Sequence, residues 1–199
     1  MQNNIKINFE KNFIFDEIRL YYENPIFKFG AYYGEIDKTG KILFAIKCDE
    51  LFRIDAEKFG ICINDKWGII SRNKKWIIEP EYDDLNEAED GFYIAKKNGK
   101  FGIININNDV ITNFIYDTFE RIFFGDNDYY VAGKNGKIGI INLYGRAIVP
   151  FIFKEIDIYG DDFGKARFNG KYGLINEEGN PIEIDIASLE EQLLTYQYN

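Results

Sequence analysis

The chain has 199 residues, 46% hydrophobic and 17% aromatic, which gives enough apolar surface for a real core and excludes an acidic disordered polymer. Its formal charge of −9 opposes binding to phosphate backbones, and the densest basic run, Arg72 to Lys75, falls in a turn, so nucleic acid is not an expected partner. No segment approaches the ~18 apolar residues of a membrane-spanning helix, so no membrane partner is expected either.

In chain order, Met1 to Asn8 lacks the apolar run of a secretory leader, and only two cysteines occur, Cys48 and Cys62, so the expected location is cytoplasmic. Phe13-Ile14-Phe15-Asp16-Glu17-Ile18 reads as the back half of a unit whose front half is absent. Next come five short runs: Tyr33-Gly34-Glu35-Ile36, Trp67-Gly68-Ile69-Ile70, Phe101-Gly102-Ile103-Ile104, Ile138-Gly139-Ile140-Ile141 and Tyr172-Gly173-Leu174-Ile175. Successive glycines stand 34, 34, 37 and 34 residues apart, which is the signature of a repeat architecture.

Other positions keep phase. Lys66, Lys100, Lys137 and Lys171 stand two before the last four glycines. Before them lie Asn64-Asp65, Asn98-Gly99, Asn135-Gly136 and Asn169-Gly170, the chemistry of tight hairpin turns in which both central residues need positive φ. Asp37, Ser71, Asn105, Asn142 and Asn176 open a second turn three after each glycine. Gly40, Lys74, Asn108, Gly145 and Gly179 stand six after, where a left-handed residue is needed. At Lys74 the neighbouring Asn73 is expected to take that conformation.

A second strand such as Trp76-Ile77-Ile78 leads to Pro80-Glu81-Tyr82-Asp83. Cys48, Tyr82, Tyr116 and Phe153 share its aromatic position, and Leu51, Leu85, Phe119 and Ile156 follow three later. The acidic stretch after it is expected to be a loop leading to a third strand such as Phe92-Tyr93-Ile94-Ala95. The three extra residues of the long spacing are placed in the loop around Gly125 to Asp128. Ser188-Leu189-Glu190-Glu191 resembles a capping box and predicts a short helix at the end.

These residues resemble the WG-repeat, or KWG-repeat, family. Lys66-Trp67-Gly68-Ile69-Ile70 carries the closest likeness, with Pro80-Glu81-Tyr82-Asp83 and Asp90-Gly91-Phe92-Tyr93 similar to its other recurring parts. The resemblance covers roughly residues 13 to 182 and departs in having Trp only once before the glycine. It implies a mostly bacterial family, an interaction role, and no general catalytic mechanism.

The expected fold is all-β: five tandem units of about three antiparallel strands, forming an open superhelical array with a short C-terminal helix. A closed propeller-like ring is the alternative. The whole chain, 1–199, is read as a single repeat domain, with 1–32 a partial unit, 33–182 the repeats and 183–199 the capping helix. The structural positions are Tyr33, Gly34, Trp67, Gly68, Phe101, Gly102, Ile138, Gly139, Tyr172 and Gly173. Each glycine is expected to let an aromatic ring pack on backbone or to permit a bulge.

Catalytic equipment is sparse. Histidine is absent, and serine occurs only at Ser71, a turn position, and Ser188, so no acid–base or nucleophile pairing is available. Cys48 occupies an aromatic slot and is expected in the core. Two thiols without His make no zinc set. No catalytic residue, metal ligand or cofactor is therefore expected. The non-recurring acids Glu87, Glu89, Asp90, Asp126, Asp128, Asp161 and Asp162 are the candidate partner-binding residues. The expected function is a non-catalytic binding scaffold mediating protein–protein interaction, with a protein partner for which a basic character is one option, as a monomer or weak dimer. The alternatives are an immunity- or inhibitor-type protein masking a basic toxin or enzyme, and a glycan-binding module.

Overall fold

The computed structural model describes residues 14–21, 23–89, 91–124, 127–159, 163–176, 178–183 and 185, without the side chains of 123, 124, 127, 128, 159 and 163. Among these residues there are nineteen strands, in five antiparallel sheets, and no helix. The first sheet is β1 (Glu17–Arg19), β2 (Ile26–Phe29), β3 (Tyr32–Ile36) and β4 (Ile42–Lys47). The second is β5 (Glu50–Arg53), β6 (Lys58–Ile63), β7 (Lys66–Ser71) and β8 (Trp76–Tyr82). The third is β9 (Asp84–Glu89), β10 (Phe92–Lys97), β11 (Lys100–Asn105) and β12 (Val110–Tyr116). The fourth is β13 (Thr118–Phe124), β14 (Asn127–Lys134), β15 (Lys137–Ile141) and β16 (Ala147–Phe153). The fifth has three strands, β17 (Glu155–Tyr159), β18 (Phe163–Phe168) and β19 (Lys171–Asn176). Two compact units divide the chain, Met1–Gly99 with Ile104–Val110, and Lys100–Ile103 with Ile111–Asn199.

Each repeat therefore carries four strands where the sequence suggested three. The missed strand is the stretch read as an acidic loop: β5, β9, β13 and β17. Asp and Glu are poor strand formers by propensity, yet these segments bury Leu51, Leu85 and Ile156, and that burial outweighs propensity. The insertion is also placed differently. Asn127 and Asp128 belong to β14, which pairs with β13 as far as Phe124 opposite Asn127, so extra residues lengthen this hairpin. The predicted C-terminal helix over 183–199 lies almost wholly outside the described residues.

The phase of the sheets explains the half unit at the start. A sheet takes its first two strands from the end of one sequence repeat and its last two from the start of the next. Accordingly β1 and β2 complete a sheet with β3 and β4. The turns behave as their chemistry requires. Asn64 and Asp65, Asn98 and Gly99, Asn135 and Gly136, and Asn169 and Gly170 all have positive φ. In the second turn the left-handed residue is Gly40, Lys74, Asn108, Gly145 or Gly179, so Lys74 itself, at φ 62, takes the role assigned to Asn73. Asn105 Oδ1 accepts from the N–H of Asn107 and Asp109, both at 2.9 Å, showing why a small polar opener recurs.

The repeat glycine has a backbone reason. The last strand bulges where it passes β3, β7 and β15, as shifts in pairing register. A Cβ on Gly34, Gly68, Gly102 or Gly139 would stand 2.2, 2.5, 2.7 or 2.7 Å from a carbonyl oxygen of that strand. Aromatic rings close the same space, Phe114 beside Gly102 and Phe151 beside Gly139. Both expected roles coexist. The residues after the glycine are covered on both faces: Ile69, Ile70, Ile103, Ile104, Ile140 and Ile141 are all buried. Each contributes about 1.5–3 kcal/mol of transfer free energy. In the first unit Ile26, Phe44, Leu51 and Phe59 join the first and second sheets in one core. In the second, Ile140, Val149, Ile156 and Ile175 join the fourth and fifth.

Candidate functional site

Of the predicted acids, Glu87, Glu89 and Asp128 fall among the described residues. Glu87 is exposed on β9 opposite Tyr93, and Glu89 is partly buried opposite Phe92. Asp128 lies in β14 opposite Phe123. Asp90, Asp126, Asp161 and Asp162 lie outside the described residues. The recurring acids Asp83 and Asp117 have defined partners. Asp83 Oδ2 accepts from Gly99 N–H at 3.0 Å, and Asp117 Oδ2 from Asn135 N–H at 3.2 Å. Lys66 donates to the first and Lys100 to the second. Those lysine bonds, with the turn amides, hold both carboxyls below the ordinary value of 3.8. Asp83 and Asp117 thus each clamp a hairpin turn, 16 and 18 residues ahead, to the lysine of the preceding hairpin.

Among the described residues the fifth sheet has no counterpart of the last strand found in the other four. A Cβ on Gly173 would meet nothing within 4 Å, where its four counterparts lie under a strand carbonyl. Chain after β19 begins to pair, through a single bridge of Ile175 with Pro181 and Ile182 N–H to Leu174 O at 2.9 Å. Beside β19 lies a groove of about 460 Å3, whose apolar walls include Ile152, Phe153, Phe168, Tyr172 and Leu174. Ile152, Phe168 and Tyr172 are 42%, 46% and 57% exposed. Tyr172 is held in place: Lys165 Nζ and the Arg167 guanidinium lie 5.2 and 5.5 Å from its ring centre, and its hydroxyl donates to Glu155 at 3.3 Å. Lys165 in turn is bound by Asp157 at 2.6 Å and Glu155 at 3.1 Å, which raises its pKa.

A second irregularity lies in the first unit. Glu35 stands just after Gly34, where every sister repeat has Ile or Leu, and is fully buried. Its Oε1 accepts from Arg53, from Arg72 at 2.9 Å and from Asn24 at 3.2 Å. Arg53 also lies over the rings of Tyr21 and Phe59, at 5.4 and 5.2 Å. Glu35 was legible as a charge in an apolar column of the repeat; its arginine partners, 18 and 37 residues away, were not.

Cys48 and Cys62 are both buried free thiols, the first in its expected core slot. Burial pushes the Cys48 thiol up to about 12, so no reactive thiolate is provided.

These features define an all-β repeat protein assembled from small antiparallel sheets. Residues 33–67 and 67–101 each match the family described as a WG containing repeat. No curated protein matches the chain in sequence. Among solved structures the chain is similar to Hsv2 of Kluyveromyces marxianus, with a TM-score of 0.52, 10% identity, and coverage of 82% of this chain and 60% of that one. It also matches Hsv2 of Kluyveromyces lactis (TM-score 0.43, 11% identity, 81% and 59% covered). The Pan2 WD40 domain of Neurospora crassa matches as well (TM-score 0.40, 12% identity, 81% and 61% covered). At 10% identity the likeness to the Kluyveromyces marxianus chain is one of fold. The chain spans about three-fifths of the length of these solved chains.

Proposed function

We propose that the protein is a non-catalytic binding scaffold that takes a protein partner by strand addition at the edge of β19. The observation that carries this is the uncovered Gly173 with the apolar groove beside it, set against four sister sheets in which a last strand covers the equivalent glycine. An exposed edge offers outward N–H and C=O groups for main-chain affinity, and pockets for alternate side chains supply selectivity. The reading requires the array to end open at β19.

The sister strands specify the occupant. They bury an aliphatic or aromatic residue opposite the repeat, such as Ile78 or Val149, and end in a buried Tyr82, Tyr116 or Phe153. In two of them an acid follows, Asp83 or Asp117, and meets the repeat lysine. Lys171 is the equivalent lysine at β19, so the partner is an extended segment ending in an aromatic residue and then an acid. The test uses a synthetic peptide with the sequence of residues 110–117, Val-Ile-Thr-Asn-Phe-Ile-Tyr-Asp, titrated into the full chain. Saturable binding is expected, and Gly173→Val, which places a side chain where the incoming carbonyl must sit, should weaken it at least tenfold while the far-UV spectrum is unchanged. Failure of the peptide to bind the folded chain, including because the chain itself fills the edge, overturns the proposal, as does equal binding by the variant.

A further inference from the structure

We propose that a separate site, at the hairpin end of the fourth sheet, receives a carboxylate from an acidic side chain of a partner. Fifteen residues after the repeat glycine the sisters carry Asp49, Asp83 and Asp117. Each accepts from a hairpin amide, that of Asn64 at 2.6 Å, Gly99 at 3.0 Å or Asn135 at 3.2 Å. At the fourth copy the position is Lys154. A cation thus stands where the pattern places an anion, and the consequence falls on its neighbours.

Lys137 is the counterpart of Lys66 and Lys100, which bind Asp83 and Asp117. With the acid gone, Lys137 Nζ donates to the carbonyl of Ile152 at 3.1 Å, and Lys154 Nζ to that of Gly136 at 3.0 Å. An ammonium has three donors, so each retains two. Both side chains line a cleft of about 380 Å3, together with Lys134, Thr118 and Asp117. Among the described residues Asp117 is the one carboxylate in that lining, and Lys100 pairs with it.

The cleft therefore concentrates positive charge in a chain of formal charge −9, which focuses an incoming anion on it. A carboxylate is the group that fits, because lysines in this repeat position bind carboxylates in two sister copies, with charge-assisted hydrogen bonds that are stronger than neutral ones. The site lies within the second unit and none of its lining residues lines the β19 groove, so it stands or falls independently of strand addition.

The test is a titration of the 15N-labelled full chain, at pH 7 in low-chloride buffer, with N-acetyl-Gly-Asp-Gly-amide, its Asn counterpart, and inorganic phosphate. The acidic peptide should shift the amides of residues 134–138 saturably, at least tenfold more tightly than the Asn peptide and more tightly than phosphate. Lys154→Asp restores the sister acid, should keep the fold, and should reduce the affinity at least tenfold. An undiminished response in Lys154→Asp, equal response to the two peptides, tighter binding of phosphate, or no response at residues 134–138 in the unsubstituted chain overturns the assignment. Binding of the 110–117 peptide, followed separately at β19, reports on the other proposal alone.

Discussion

At single residues the same amino acid has opposite tolerance in different copies. A Cβ at Gly68 would lie 2.5 Å from Ile78 O and 2.7 Å from Pro80 N, both backbone atoms that cannot yield without moving the bulge. Gly68→Ala should therefore cost about 2–4 kcal/mol, in the range of backbone strain and overpacking. Gly173→Ala, with nothing within 4 Å, should stay within about 0.5 kcal/mol. Urea unfolding of the two variants separates them; equal costs would show that the glycine serves something other than close approach. Glu35 gives the converse case. Glu35→Gln leaves Arg53, whose side chain is 8% exposed, without its buried counter-charge, and should destabilise by about 3–5 kcal/mol. Replacing Glu35 by Ile together with Arg53 and Arg72 by Leu should recover most of that loss, since an apolar cluster of similar volume needs no compensating charge.

Among elements, the hairpin is where local chemistry and tertiary structure meet. Asn-Gly and its relatives set the turn by φ alone, which is why those turns could be placed from sequence. What joins one hairpin to the next, Asp83 between Lys66 and Gly99, is visible only when the sheets are in place. Because hydrogen bonds from Lys66 and Lys100 lower the pKa of Asp83 and Asp117, the charged form is favoured in the folded state. Their contribution to stability is complete above the unfolded value near 3.8 and disappears as pH falls through the lower folded values. The urea midpoint should drop below about pH 4, and an Asp83→Asn, Asp117→Asn double variant should show a shallower drop over that interval. A double variant with the same pH profile as the unsubstituted chain would remove the turn clamps from the account. The strands β5, β9, β13 and β17 escaped the sequence reading because their acids signal loop locally, whereas Leu51, Leu85 and Ile156 gain their value only from a neighbouring sheet.

In the whole molecule, opening of the first unit has a built-in reporter. Cys48 and Cys62 are buried in it, and burial raises both thiols above their ordinary value. A thiol reagent at neutral pH should label neither in the native chain, and labelling in urea should follow loss of structure in that unit. Rapid labelling of native protein would contradict the packing. The 34-residue phase, the turn chemistry and the shortage of catalytic side chains were properties of the sequence alone, because spacing, φ preference and composition are local or additive. Tertiary structure decided the rest: four strands per repeat, the pairing of Glu35 with two distant arginines, a Gly173 left uncovered among the described residues, and a lysine cleft where an aspartate pattern breaks off. Those depend on which surfaces come together, and the free energy of burial and of charge pairing belongs to pairs of segments, not to either segment read alone.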